Sequence, residues 1–267
     1  MKKRTLKYYL KIYGKILAQD IKSKMSYRAD FFISTIGMLA TNVAGAFSFW
    51  LVFQMFPSID GWNYYEMMFL YGFALLAATP AQCLFDNNWN LRQQVYSGNF
   101  IKYCFRPVNL FFYFMSEVFD IKGLGQLAFG IVAVTYAWIK LSIPFQIYSV
   151  LLLLVAVISA SLFVIAILNL AASACFWLVN SFFVLQLSNQ LRDFAKYPLS
   201  IFGPAFRVAF TFIIPIGYMA YYPSLIFLRP DEVSWVVWIT PAFGALFFYL
   251  SYKVWMKGAM SYSGTGS

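Results

Sequence analysis

The chain has 267 residues, of which 61% are hydrophobic, 21% aromatic and only 11% charged, with a net charge of +10 and no histidine. Soluble domains carry about 25% charged residues, so this composition is that of an integral membrane protein, and the positive charge, gathered beside apolar runs, reads as positive-inside anchoring and not as nucleic-acid binding. The lack of histidine excludes His-based triads, bases and metal ligands, and Cys83, Cys104 and Cys175 are too scattered for a CxxC redox or zinc pair.

Residues 1–28 are basic and lack an apolar core followed by a small-residue cleavage site, so no cleavable signal peptide is expected. Residues 4–28 read as an amphipathic helix. Leu6, Tyr9, Leu10, Tyr13, Ile16, Leu17 and Ile21 recur at three- and four-residue steps and share a face, while Lys7, Lys11, Lys15 and Lys22 fall opposite. A basic face backed by an aromatic and aliphatic one suits a helix lying in the inner headgroup layer, in contact with membrane lipids. Residues 1–29 are therefore assigned as a cytoplasmic or interfacial element.

Phe31–Phe56 is long enough for a first span, since about 20 apolar residues cross the hydrocarbon. Pro57–Gly61 is a short outer turn, and Trp62, Tyr64 and Tyr65 fit an interfacial aromatic belt. Tyr64–Leu84 returns inward. Asp30 and Glu66 sit at span edges, where interfacial solvation is expected.

The stretch from Ala81 to Phe111 is the one long polar interval between apolar segments. Asp86, Asn87, Asn88, Asn90, Arg92, Gln93 and Gln94 are followed by the turn signal Ser97-Gly98-Asn99 and then by Arg106-Pro107-Val108-Asn109. Read without its neighbours it is an ordinary inner loop; as the natural place for a soluble partner to push, it is the main functional candidate, bounded at 86–107.

Val108–Ile139 goes out again and is longer than a bilayer needs, so its first turns, with Glu117, Asp120 and Lys122, are expected to protrude or snorkel at the inner surface. Phe145 to about Trp177 returns. Residues 178–205 are too polar for a plain span. Either 173–190 crosses and places Arg192 and Lys196 outside, or the segment lies at the inner surface. The second reading puts seventeen of the twenty Lys and Arg inside and is adopted. Phe206–Tyr222 then goes outward, kinked at Pro215, with an aromatic and flexible stretch through Tyr218, Tyr221 and Tyr222 near the outer face. Trp235–Trp255 is the last inward span, and residues 261–267 form a short cytoplasmic tail. The expected fold class is an all-α integral membrane protein with six transmembrane helices within 30–260, an N-terminal interfacial helix and both termini inside.

No GxxxxGK[ST], GxSxG or HExxH motif is present, and no row of intramembrane acids suggests a proton relay. Many spans without chemistry of their own point to a transport subunit driven by something else. A secondary transporter lacks support, because no inverted repeat or buried ion-coupling charge is visible. A non-transporting membrane scaffold or immunity factor, binding a peptide or lipid without ATP, is the alternative; a Walker-A ATPase encoded next to this chain separates the two.

Gly98-Asn99-Phe100-Ile101-Lys102 leading into Arg106-Pro107-Val108-Asn109 resembles the segment ahead of the third span in permease subunits of type-2 ABC exporters, mainly bacterial. Tyr197-Pro198, Ile214-Pro215, Tyr221-Tyr222-Pro223 and the ending Tyr262–Ser267 resemble elements of one subfamily, so the likeness covers essentially the whole chain. That subfamily usually has an acidic residue just after the loop glycine, where this chain has Asn99, Phe100 and Ile101.

The resemblance implies a permease in the bacterial plasma membrane, exporting an amphiphilic substrate such as a lipid-linked glycan, peptide or drug. It implies no cofactor in this chain, with ATP and Mg held by two copies of a separate ABC ATPase, and a second permease subunit, identical or related. Asp86, Asn90, Arg92, Gln93, Tyr96, Lys102 and Arg106 would belong to the coupling segment, and Lys7, Lys11, Lys15 and Lys22 to the elbow helix. Pro215, Tyr218, Tyr221 and Tyr222 would belong to an outer gate or substrate path.

Overall fold

The computed structural model describes residues 5–26, 28–233 and 235–263, and leaves the side chains of Arg28, Asp30, Phe31, Glu232 and Val236 undescribed. Residues 1–4 of the basic N-terminal element, the side chain of the span-edge residue Asp30 and residues 264–267 of the tail lie outside what is described. The described chain is helical, with no named strand among its residues. Four stretches are long and apolar enough to cross a membrane: Phe32–Met55, Tyr64–Tyr96, Lys122–Lys140 and Ile147–Phe176.

Helix α1 (Leu6–Met25) leads into α2 (Arg28–Met55). The Ile59–Trp62 turn connects α2 to α3 (Tyr64–Leu84), whose N-terminus is closed by a reciprocal capping box: Asn63 Oδ1 accepts from the Glu66 amide at 3.0 Å, and Glu66 Oε2 accepts from the Asn63 amide at 2.8 Å. Glu66 also lies 3.5 Å from Arg229, which stacks 4.0 Å from the Trp62 ring. This carboxylate is therefore buried and partnered by protein, where interfacial solvation was expected. Trp62 marks one end of the bundle, and Trp89, beyond the far end of α3, marks the other.

The polar interval holds α4 (Asn88–Tyr96) and α5 (Ile101–Cys104), followed by α6 (Leu110–Ser116). The expected long helix over Val108–Ile139 is broken. After α6 the chain leaves helical geometry over Glu117–Ile121 and resumes as α7 (Lys122–Lys140). The break persists because its polar groups are satisfied by protein and not by snorkelling. Tyr103 donates to Glu117, the Asp120 amide donates to the Cys83 carbonyl at 3.2 Å, and Asp120 Oδ1 accepts from the Lys122 amide at 3.1 Å. Helix α1 seals the same break: Asp20 Oδ2 accepts from the Phe119 amide at 3.1 Å, and Lys24 Nζ donates to the Phe119 carbonyl at 2.6 Å.

Helix α8 (Ile147–Ser173) returns to the Trp89 end. The next segment departs from expectation. Residues 178–205 do not stay at the Trp89 end but run along the bundle. α9 (Phe182–Arg192) starts with Phe182 beside Trp89, at 6.4 Å between rings. After a tight 3₁₀ turn, Lys196 lies 6.0 Å from the Tyr71 ring and Tyr197 packs 5.5 Å from Phe49. Ser200 then accepts a hydrogen bond from Trp62 Nε1 at 3.0 Å. Of the polar residues that argue against a plain span, Ser188, Asn189, Arg192 and Lys196 are half-buried against the bundle, while Asn180, Gln186, Gln190 and Asp193 stay exposed. Counting charge by end therefore misassigns Lys196, whose ammonium is held by Asp193 at 2.6 Å.

Phe206–Tyr222 is likewise not one kinked helix. α10 (Gly203–Val208) passes into a π-turn over Ala209–Ile213, the chain breaks at Pro215, and a 3₁₀ turn over Ile216–Met219 precedes α11 (Tyr221–Leu228). α12 (Trp235–Trp238) and α13 (Thr240–Ser261) complete the chain. α13 carries Trp255, fully buried, back to the Trp89 end, where it packs 6.0 Å from Phe100.

Candidate functional site

The polar segment folds where it does because each turn has a local reason. Asn87 and Asn88 follow directly on α3, and Asn88 opens α4. α4 stops at Ser97-Gly98: Gly98 has φ +75°, a left-handed conformation that costs other residues about 1–2 kcal/mol, and the turn lets the Phe100 amide reach the Gln94 carbonyl at 2.9 Å. Asn109 caps α6 by accepting from the Phe112 amide at 2.9 Å.

Four tethers then bind the segment into the bundle. Asn87 Nδ2 donates to the Phe114 carbonyl at 2.6 Å, and Asn88 Nδ2 donates to Asn169 Oδ1 on α8 at 2.7 Å; all three asparagine side chains are buried. Asn109 Nδ2 donates to the Tyr252 hydroxyl on α13 at 3.0 Å, and Arg92 Nε to the Val179 carbonyl at 3.4 Å. Below these bonds Phe100, fully buried, meets Phe114, Phe176, Trp255 and Tyr262, with ring centroids 5.2–6.0 Å away. Tyr103 is buried beside it. Burial raises the Tyr103 phenol above its ordinary pKa, and its hydrogen bond to Glu117 raises it further.

The outward side of the segment is different in kind. Tyr96 is 70% exposed and Phe105 80% exposed. Lys102 and Arg106 are exposed beside them, the first 4.8 Å from the Tyr103 ring and the second 5.3 Å from the Tyr113 ring. Asn90 and Gln93 are also exposed. Of the residues predicted for coupling, then, Asn90, Gln93, Tyr96, Lys102 and Arg106 reach the surface. Arg92 is turned towards the Val179 carbonyl, and Asp86 lines an internal cavity.

Sequence reasoning names Asn87, Asn88, Phe100 and Asn109 only as members of the polar stretch, without a role, and does not single out Phe105. The Asn109 cap was legible, as an Asn directly before an apolar helical run. Asn169 was not, being one polar residue in an otherwise apolar helix.

On α1, Lys7, Lys11, Lys15 and Lys22 are exposed, and Tyr9 packs edge-on to Phe112 of α6 at 4.9 Å. α1 is thus attached both to α6 and, through Asp20 and Lys24, to the Phe119 break. At the Trp62 end, Tyr218 stacks on Phe163 at 5.0 Å, the Tyr221 hydroxyl accepts from Arg207 at 3.1 Å, and the Tyr222 hydroxyl is 2.5 Å from Thr211 Oγ1. Tyr222 lies 5.0 Å from Tyr218 and 5.2 Å from Tyr221 between ring centroids, and Pro215 precedes the 3₁₀ turn that carries Tyr218.

A family model described as an ABC-2 family transporter protein matches residues 39–266. No curated protein and no solved structure matches the chain.

Proposed function

This chain belongs to the ABC-2 family of transporter proteins, as an ABC-2 type permease subunit, and on that premise we propose that it is an exporter subunit whose polar segment 86–107 receives motion from a separate ABC ATPase. The observation that carries this reading is the two-sided construction of that segment. Its inner side is bonded to α6 and α8 through Asn87 and Asn88, Asn109 just beyond it is bonded to α13, and its outer side presents Tyr96, Lys102, Phe105 and Arg106. A loop serving only as a connector needs no such tethers. A lever needs both, because displacement of an exposed face is transmitted only through stiff contacts.

In this reading the membrane is crossed six times, the fifth time by residues 182–202, with both termini at the cytoplasmic side of a bacterial plasma membrane. Residues 203–228 form a re-entrant plug at the outer side and gate exit. α1 is the elbow: its lysines face anionic headgroups, and its Asp20–Lys24 clamp on Phe119 carries motion to the start of α7. The exposed apolar side of α2, including Ile33, Ile36, Phe47 and Met55, is where a second permease subunit, the same or related, and membrane lipid meet the chain. ATP and Mg are bound by two copies of the ATPase, and the cargo is amphiphilic.

The test is purification of the tagged chain from native membranes in mild detergent. Stoichiometric recovery of an ATPase with a Walker-A motif is the expected result. Its consistent absence would move the chain to the scaffold or immunity role.

A further inference from the structure

Two cavities inside the chain share a wall. One, of about 340 Å³, lies towards the Trp89 end and has a mixed lining, with Gln82, Asp86, Gln126 and Arg192 beside apolar groups such as Leu75 and Val164. The other, of about 380 Å³, lies towards the Trp62 end and is lined mainly by apolar groups, including Phe49, Val52, Met67, Tyr71 and Ile201. Each is within the ordinary size of small-molecule sites, about 300–1,000 Å³. Thr41, Asn42 and Lys196 line both, so the two form one crevice between α2, α3 and residues 189–201 that carries most of its polar groups at one end and is mainly apolar at the other.

The junction is rich in donors. Asn42 is 7% exposed, and its Nδ2 has no hydrogen-bond partner, an arrangement that an acceptor oxygen would relieve. The wall around Asn42 is fixed. The Tyr71 hydroxyl donates to the Asn42 carbonyl at 3.0 Å, an approach that Gly45 permits, since a Cβ there would lie 2.5 Å from that hydroxyl. Arg192 makes no hydrogen bond to any described side chain or carbonyl, and Lys196 is held by Asp193 at 2.6 Å and lies 6.0 Å from the Tyr71 ring. Both carboxylates of the crevice, Asp86 and Asp193, line the half towards the Trp89 end, and Asp193 is paired with Lys196.

We propose that this crevice binds a single-chain amphiphile with an anionic head group, the head held by Asn42, Arg192 and Lys196 and the chain lying along Phe49, Val52 and Met67. That the occupant is exported cargo rests on the permease function proposed above; that the site binds it does not.

The test is calorimetric titration of the intact purified subunit in neutral maltoside micelles with dodecyl phosphate, without any ATPase. Comparison probes are inorganic phosphate, dodecyltrimethylammonium and a diacyl phosphatidic acid. Saturable binding of one dodecyl phosphate per chain is expected, weakened at least tenfold by Asn42→Leu and by Arg192→Gln. Val52→Trp, which fills the apolar half and leaves the head donors in place, should weaken it as much. This third variant decides the matter if the first two do not fold.

Equal binding by wild type and variants would mean adsorption to the lipid-facing belt and would overturn the proposal. So would no binding, tighter binding of the cation, or inorganic phosphate binding as well as dodecyl phosphate. Tighter binding of the diacyl lipid would assign the crevice to a bilayer lipid and overturn the cargo assignment. Because no ATPase takes part, failure here leaves the coupling role standing, and failure to recover an ATPase leaves the site standing.

Discussion

Asn88 Nδ2 donates to Asn169 Oδ1 at 2.7 Å, joining the first residue of α4 to the C-terminal end of the apolar helix α8 with both side chains buried. In an apolar surrounding such a pair is worth more broken than made. Truncating one amide leaves the other buried without its partner, a cost of about 1–3 kcal/mol. Asn88→Ala is therefore expected to lower unfolding stability in micelles by that amount. In the double variant with Asn169→Leu, part of the loss should return, because no orphaned amide remains. A strictly additive double variant would show that the bond does not couple the two helices.

Phe100 is the apolar counterpart of that bond. Its ring lies between α6, the end of α8 and α13, with no exposed surface. Phe100→Ala should cost about 3–5 kcal/mol, the range for deleting a buried aromatic ring. Limited proteolysis should then cut first between Ser97 and Phe105, where the segment has lost its anchor. An unchanged cleavage pattern would argue against Phe100 as that anchor.

Tyr103 makes a pH-dependent contribution with a definite sign. Its phenol is raised by burial and by Glu117, so the folded chain holds this proton more tightly than the unfolded chain, where tyrosine titrates near pH 10. The stability it adds is complete below about pH 10 and is lost as pH rises beyond that. The melting temperature of wild type should fall above pH 10 more steeply than that of Tyr103→Phe, measured side by side. Parallel curves would contradict the assignment.

The two arginines of the segment should behave differently. Arg106 is exposed and stacks on Tyr113 at 5.3 Å, whereas Arg92 is half-buried and donates to the Val179 carbonyl at 3.4 Å. Arg106→Glu is expected to leave the melting temperature within about 1 °C and to uncouple the ATPase, since surface substitutions change stability by at most about 0.5 kcal/mol. Arg92→Glu should destabilise the subunit itself. Thermal melts and ATPase assays on both variants separate these outcomes.

Periodicity and length place the edges of α2 and α3 within three residues, because both are long apolar helices: the reading Phe31–Phe56 stands against Arg28–Met55, and Tyr64–Leu84 coincides. The same reasoning missed the break at Glu117–Ile121. What stabilises it comes from far along the chain: Asp20 on α1, Cys83 on α3 and Tyr103 on α5. It also kept residues 178–205 at one end, because a sum of charges does not register that Asp193 neutralises Lys196 and that Ser200 meets Trp62. For the candidate site, the polar composition of 86–107 pointed to the right segment. Which residues face outward depended on tethers to Asn169 and Tyr252, more than eighty residues away.

The coupling role is tested most directly by position-specific cross-linking. In a Cys104→Ser background, which removes the one exposed native thiol, Tyr96→Cys is made at the Trp89 end and Gln146→Cys at the Trp62 end. A short bifunctional thiol–amine reagent is then added to native membranes. The account predicts a covalent adduct between the Tyr96→Cys chain and a Walker-A ATPase, and none from Gln146→Cys. An ATPase adduct from Gln146→Cys, or from neither position while the ATPase still copurifies, would contradict it.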